Sequence, residues 1–276
     1  MKSYFTRVCS HMFLCFFVML MLLPVYLALV AASHEGNMMM QSQIPLVPGA
    51  LLFKNLKVVL TEGLAVTGGE PLTFMLLNSF LMAITIALGK IIFALGSAFA
   101  LVYFDFPFKK LCFALIFTTM MLPIEVRIVP TFQVVASFQL LNTFTGLTLP
   151  LFVSATGTFL FRQFFKTIPS ELVDAAKLDG AGAVRFFFDI VLPLSKTQIA
   201  SLFVILFVYG WNQYLWPLVI TTETKMATVV MGIRYLAGVA DQVPQWHYIM
   251  AVALIALIPP CLVVLLMQRW FEKGLK

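Results

Sequence analysis

Six long apolar stretches separated by more polar segments dominate this chain, at approximately Met12–Ala32, Leu72–Phe104, Leu111–Gln139, Phe144–Phe161, Ile199–Thr222 and Tyr248–Gln268. Each meets the roughly 20-residue requirement for a helix crossing hydrocarbon. The pattern predicts an all-α polytopic membrane protein, a single transmembrane domain over 1–276 with six spans. Its longest polar interruption between the later spans, 166–196, is expected as a loop on the membrane surface. The segment Ser33–Pro71, rich in Gly, Pro, Met and Gln, reads as an irregular outer loop with a short helix near Leu51–Leu60.

The pattern is not uniform within the spans. Leu111–Ile124 and Ile128–Leu141 are uncharged runs of 14 residues each, about 21 Å of helix, and neither crosses a roughly 30 Å core alone. The third span is therefore expected to run through Pro123, Glu125, Arg127 and Pro130. Such a break is tolerated where it faces protein or a water-filled cavity, and it often marks a transport pathway. The alternative is a re-entrant or outer hairpin that leaves Glu125 and Arg127 in water. Lys90 poses a similar choice inside the second span: an ammonium facing the interior, or one that snorkels to the surface.

Composition agrees with the pattern. The chain is 61% apolar and 11% charged, with a mean hydropathy of +0.99, and leaves too little polar sequence for a separate soluble domain. The net charge of +6 does not indicate nucleic acid once its distribution is read. With the N-terminus inside, the inner segments hold Lys2, Arg7, Lys109, Lys110, Arg162, Lys166, Lys177, Arg185, Lys196, Arg269, Lys273 and Lys276. The outer loops hold only Lys54, Lys57, Lys225 and Arg234. This asymmetry places both termini in the cytoplasm. Lys2 and Arg7 ahead of an apolar run, with Ala31-Ala32-Ser33 after it, imitate a signal peptide. The run exceeds the usual 7–15 residues of such a peptide, so a retained first span is expected. The cysteines Cys9, Cys15, Cys112 and Cys261 show no metal spacing and are expected in packing roles.

The surface loop carries the clearest motif. Pro169 suits a first helical turn, and Glu171 and Asp174 sit where carboxylates complement the helix dipole. Leu172, Ala175, Ala176 and Asp179 share a face by spacing, and Gly180 permits the stop. A second helix is expected over Val184–Ile190, with Arg185 and Asp189 at i, i+4. A helix resting on lipid favours bulky apolar and basic residues, whereas paired alanines beside an acid let another backbone come close. The motif reads as a docking helix.

Asp174-Ala175-Ala176 followed by Gly180, with Leu192-Pro193 downstream, resembles the "EAA" loop of permease subunits in binding-protein-dependent ABC importers. Leu77-Asn78-Ser79-Phe80, Phe106-Pro107, Asn142-Thr143, Phe161–Phe165 and Gln268-Arg269-Trp270 resemble importer permeases of the maltose, or carbohydrate, type. Met121–Pro130, Arg185–Thr197 and Tyr209–Pro217 are similar to the second permease of sn-glycerol-3-phosphate importers. The resemblance implies a type I importer permease in a bacterial inner membrane, carrying sn-glycerol 3-phosphate or alternatively a maltose-type sugar. It also implies as partners a second, homologous permease, a homodimeric cytoplasmic ATPase and a periplasmic binding protein. Asp174, Ala175, Ala176, Asp179 and Gly180 then become the ATPase-docking residues. The chain departs from the family in having Asp174 where Glu is usual, and Gly182 where a Ser is common.

No Gly-x-x-x-x-Gly-Lys-[Ser/Thr] phosphate loop occurs, and His11, His34 and His247 are dispersed. The chain is expected to be non-enzymatic, with no catalytic residue, metal or cofactor of its own; ATP and magnesium belong to the ATPase. Candidate residues of the substrate pathway are Arg127, Glu125, Lys90, Asn78, Trp211, Asn212 and Gln213. For the Trp211–Gln213 cluster, helix packing at the outer interface is an equal alternative.

Overall fold

In the computed structural model, residues 2–36, 45–62, 70–238 and 244–274 are described. All regular structure among them is helical: α1 (Lys2–Ala32), α2 (Leu52–Thr61), α3 (Leu72–Tyr103), α4 (Lys109–Thr119), α5 (Ile124–Ser137), α6 (Phe144–Thr148), α7 (Ala155–Phe165) and α8 (Ser170–Leu178). There follow α9 (Ala183–Leu194), whose middle is a π-turn over Phe187–Val191, α10 (Lys196–Trp211), α11 (Leu215–Ile220), α12 (Val229–Ala237) and α13 (Trp246–Gly274). Pro259 and Pro260 lie inside α13 without ending it.

The six-span expectation meets a more broken chain. Arg7–Ala32, Leu72–Tyr103 and Trp246–Gln268 are each long and apolar enough to cross a membrane. Among the described residues, two bent pairs bring the number, by length and composition, to at most five: Phe144–Leu151 with Ala155–Phe165 at 45°, and Ala183–Leu194 with Lys196–Trp211 at 72°. The third span, expected to be interrupted, is two short helices, α4 and α5. The break falls at residues 120–123, ending at Pro123, which has an extended ψ of 146° as the N-cap of α5. Arg127 consequently lies in the opening turns of α5. The expected span Ile199–Thr222 is also interrupted, with α10 ending at Trp211 and α11 beginning at Leu215.

Two compact units divide the chain. In the unit Met1–Leu76 with Val229–Ile258, Asn55 Nδ2 donates to the carbonyls of Ala32 at 2.9 Å and His34 at 3.0 Å. This satisfies acceptors at the end of α1 and fastens α2 there. In the unit Leu77–Thr228 with Pro259–Lys276, a core of Met82, Ile86, Val135, Leu147, Trp216 and Ile220 joins α3, α5, α6 and α11. The Trp216 indole donates to the carbonyls of Leu147 and Gly146 at 3.2 and 3.3 Å. On the same unit α4 packs on α7, with the Arg162 guanidinium 4.0 Å above the Phe113 ring. Asn142, at φ 55°, accepts from the Thr222 amide at 2.7 Å and so ties the α5–α6 link to the end of α11.

Small residues set how closely these backbones approach, as is usual between helices in lipid. A Cβ on Gly210 of α10 would stand 2.9 Å from Ala83 Cα of α3, and one on Gly157 of α7 would stand 3.0 Å from Ala94 Cβ. A Cβ on Gly89 would meet the Phe152 ring at 2.5 Å. The middle of α3 is thus held tightly against both neighbours. Contrary to the packing role expected for the cysteines, Cys9, Cys15 and Cys261 are exposed on their helices.

Candidate functional site

Lys90 projects from that tightly packed stretch of α3. Its side chain is 7% exposed, and Nζ donates to the Val153 carbonyl at 3.1 Å. Val153 lies in the non-helical stretch between Leu151 and Ala155, which leaves its carbonyl free to accept. The ammonium also stands 4.7 Å from the centroid of the Tyr209 ring on α10, within cation–π range. Lys90 therefore does not snorkel; it is buried and held by a carbonyl and a ring face.

An open cavity of about 440 Å³ adjoins this group, lined by α3, the α4–α5 connection, α7 and α10. Its basic residues are Lys90 and Arg127, and its hydroxyls are those of Thr119, Ser154, Thr156 and Tyr209; the rest is largely aliphatic. Arg127 is exposed to the cavity, and among the described residues it forms no salt bridge. Glu125 opens α5 beside it, and its side chain lies outside the described residues.

The other pathway candidates are placed elsewhere. Asn78 Nδ2 donates to the carbonyls of Lys225 at 2.7 Å and Ala227 at 3.2 Å, fastening α3 to the stretch before α12. Trp211 is buried and stacked on Phe207 at 6.0 Å. Asn212 is exposed, and Gln213 Nε2 returns to the Tyr209 carbonyl at 3.1 Å. None of these four borders the cavity. Tyr209 does, and sequence reasoning passed over it in favour of the more polar residues that follow. The available signal was Gly210 beside it, a residue that lets the helices close up.

The second region is 166–196. Helix α8 has Glu171 in its first turn and Lys177 in its last, in keeping with the helix dipole. It ends in a Schellman motif: Ala181 N–H donates to Ala176 O at 2.9 Å, Gly180 N–H donates to Lys177 O at 3.0 Å, and Gly180 has φ +71°. A Cβ on Gly180 would meet nothing within 4 Å, so conformation, not space, requires glycine there. Asp174 faces solvent 3.7 Å from Lys177, and Arg185 pairs with Asp189 at 3.3 Å. Gly182 caps α9 with extended backbone and no side-chain bond.

One docking candidate faces the other way. Ala175, Asp174, Asp179 and Gly180 are exposed, but Ala176 is 5% exposed. It lines a cavity of about 160 Å³ with Phe99, Tyr103, Val173 and Phe186. Ala176 is thus turned toward the chain's own aromatic residues and not outward. Leu178, at 89% exposure, is the most exposed large apolar residue of α8, and Leu172 is exposed as well. Among the described residues, no group of His, Cys, Asp and Glu is arranged to hold a metal ion.

Comparison with known proteins gives this arrangement its context. Residues 90–276 match the family described as "Binding-protein-dependent transport system inner membrane component". A Yersinia pestis bv. Antiqua protein named "sn-glycerol-3-phosphate transport system permease protein UgpE" is 54% identical over 265 residues, covering 96% of this chain and 94% of that protein. A protein of the same name from Rhizobium meliloti is 48% identical over 274 residues, covering 99% and 97%. A solved structure, "Crystal structure of a bacterial ABC transporter involved in the import of the acidic polysaccharide alginate", superposes with a TM-score of 0.82 at 18% identity, covering 98% of each chain. At that identity the likeness concerns the fold alone. The family match covers most of the chain and includes both the cavity and the segment 166–196, and the chain belongs to the inner membrane components of binding-protein-dependent transport systems, as a multi-pass permease and not as an ATPase.

Proposed function

We propose that this chain forms, with a second and homologous permease, the membrane passage for sn-glycerol 3-phosphate in an ATP-driven importer. The observation that carries this reading is the placement of Lys90 and Arg127 on the wall of one cavity whose remaining polar groups are hydroxyls. A phosphate monoester carries roughly −1.5 to −2 charge at neutral pH, which two cations offset, and hydroxyls suit the glycerol. The relatives that carry the substrate's name support it. A neutral sugar of the maltose type leaves both cations without counter-charge, which is costly at membrane depth.

In this reading α4 and α5 together make one crossing, giving six, with both termini in the cytoplasm. A homodimeric cytoplasmic ATPase holds ATP and magnesium and grips α8 through Asp174, Ala175, Leu178 and Asp179. A periplasmic binding protein delivers the substrate on the opposite side.

The test is uptake of labelled sn-glycerol 3-phosphate by proteoliposomes holding the whole complex. ATP-dependent uptake that requires this chain and is not displaced by maltose is the expected result. Maltose uptake in its place would overturn the substrate. For orientation, a cysteine at Lys225 should react with an impermeant reagent outside intact cells and one at Lys177 should not; the reverse would invert the topology.

A further inference from the structure

Two cavities in the unit containing Leu77–Thr228 share one wall. The larger, about 440 Å³, extends past Leu160 and Leu202; the smaller, about 80 Å³, extends past Thr131 and Trp216. Lys90, Arg127, Val153 and Tyr209 border both. Helix α7 runs from beside Val153 through Leu160 toward the segment 166–196, and α10 runs from that segment through Leu202 to Tyr209. The larger cavity therefore lies on the side of the segment 166–196, and the smaller on the far side. Between them the Lys90 ammonium reaches from α3 to the Val153 carbonyl at 3.1 Å and to the Tyr209 ring at 4.7 Å.

We infer that Lys90 is an anion-released bar across the neck between the two cavities. Its ammonium joins three separate pieces of chain, and an organophosphate draws it away; this rests on the organophosphate reading given above. The partners that hold Lys90 are neutral, a single carbonyl and a ring face. The bond to the carbonyl is charged on the donor side alone, whereas a phosphate oxyanion also brings an opposite charge to the ammonium, so it competes for Lys90 on favourable terms. Arg127 on the same wall supplies a second cation that keeps the anion at the neck. A neutral solute binds the barred and released forms alike and shifts nothing, since only differential affinity moves such an equilibrium. Opening and selection are then one event, and Lys90 is a specificity-determining residue.

The experiment uses the assembled importer in membranes with its native cysteines replaced and Thr131→Cys placed in the smaller cavity. An impermeant thiol reagent is supplied from the side of the segment 166–196. Labelling is expected to be slow with Lys90 present and at least tenfold faster with sn-glycerol 3-phosphate, and unchanged by maltose. Lys90→Met should label fast without substrate, and Lys90→Arg should return to slow labelling. Tyr209→Leu, which removes only the ring, should give an intermediate rate and guards against a misassembled Lys90→Met. Equal rates in the parent and in both the Lys90→Met and Tyr209→Leu complexes would overturn the bar. Absence of sn-glycerol 3-phosphate uptake by the parent would instead remove the substrate, with fast labelling of Lys90→Met still attesting the bar.

Discussion

The rings of Tyr103 and Phe186 meet edge to face with centroids 5.1 Å apart, joining the end of α3 to α9. Phe99, one turn earlier, adds contacts to Phe186 and Phe187 at 6.2 and 5.0 Å. The helix that carries Lys90 is thereby fastened to the segment 166–196. Phe186→Leu keeps apolar bulk and removes the ring pair, worth about 0.5–1.5 kcal/mol. Substrate moved per ATP hydrolysed should fall severalfold in the reconstituted complex while hydrolysis continues. An unchanged ratio would show that force passes elsewhere.

Gly180→Ala should cost about 1 kcal/mol, since an L-residue is strained at its φ of +71° although space is free. Hydrogen exchange at the Ala181 amide, which donates to Ala176, should rise several-fold, and Gly180→Asn should restore part of the protection.

At Gly210 the constraint is steric. A Cβ 2.9 Å from Ala83 Cα meets backbone that cannot rotate away, and overpacking of this kind costs about 1–3 kcal/mol. Gly210→Ala should lower the thermal unfolding midpoint of the purified complex, and Gly182→Ala, whose Cβ meets nothing within 4 Å, should not. A Gly210→Ala complex as stable as the parent would argue against the close approach.

Asp174→Ala should change the stability of this chain by no more than about 0.5 kcal/mol, because its partner Lys177 is exposed at 3.7 Å. Its effect is expected on the ATPase. Co-purification of that subunit should weaken with Asp174→Ala and persist with Asp174→Glu. Full association of Asp174→Ala would leave docking to Ala175 and Leu178.

Arg127→Gln should reduce sn-glycerol 3-phosphate uptake by about tenfold or more, given roughly 1.5–3 kcal/mol for a hydrogen bond to a charged group, while complex assembly stays normal. Normal uptake at normal expression would remove Arg127 from the site.

Local rules made part of this structure legible in the sequence. Pro169, the early acids and Gly180 determine α8 and its end within a dozen residues, and the apolar lengths mark α1, α3 and α13. The inward turn of Ala176 was not legible, because helical spacing says which residues share a face and not what covers it; Phe99, Tyr103 and Phe186 come from distant or separate elements. The same limit applies to Asn78 and Gln213. Their polarity suggested a pathway, yet both spend their amides on backbone carbonyls exposed where helices end or bend. Lys90 and Arg127 were visible as charges out of place, but their shared cavity depends on the packing of α3, α7 and α10.

The proline pair in α13 bears on how the chain is made. Pro259 and Pro260 supply no amide, so the carbonyls of Ile255 and Ala256 lose the donors a regular helix would give them. Lipid offers no replacement. A nascent α13 leaving the translocon alone carries this penalty, and it is relieved when neighbouring helices or water are already at hand. Biogenesis should therefore include a cooperative step, in which α13 settles into the bilayer only against helices inserted before it.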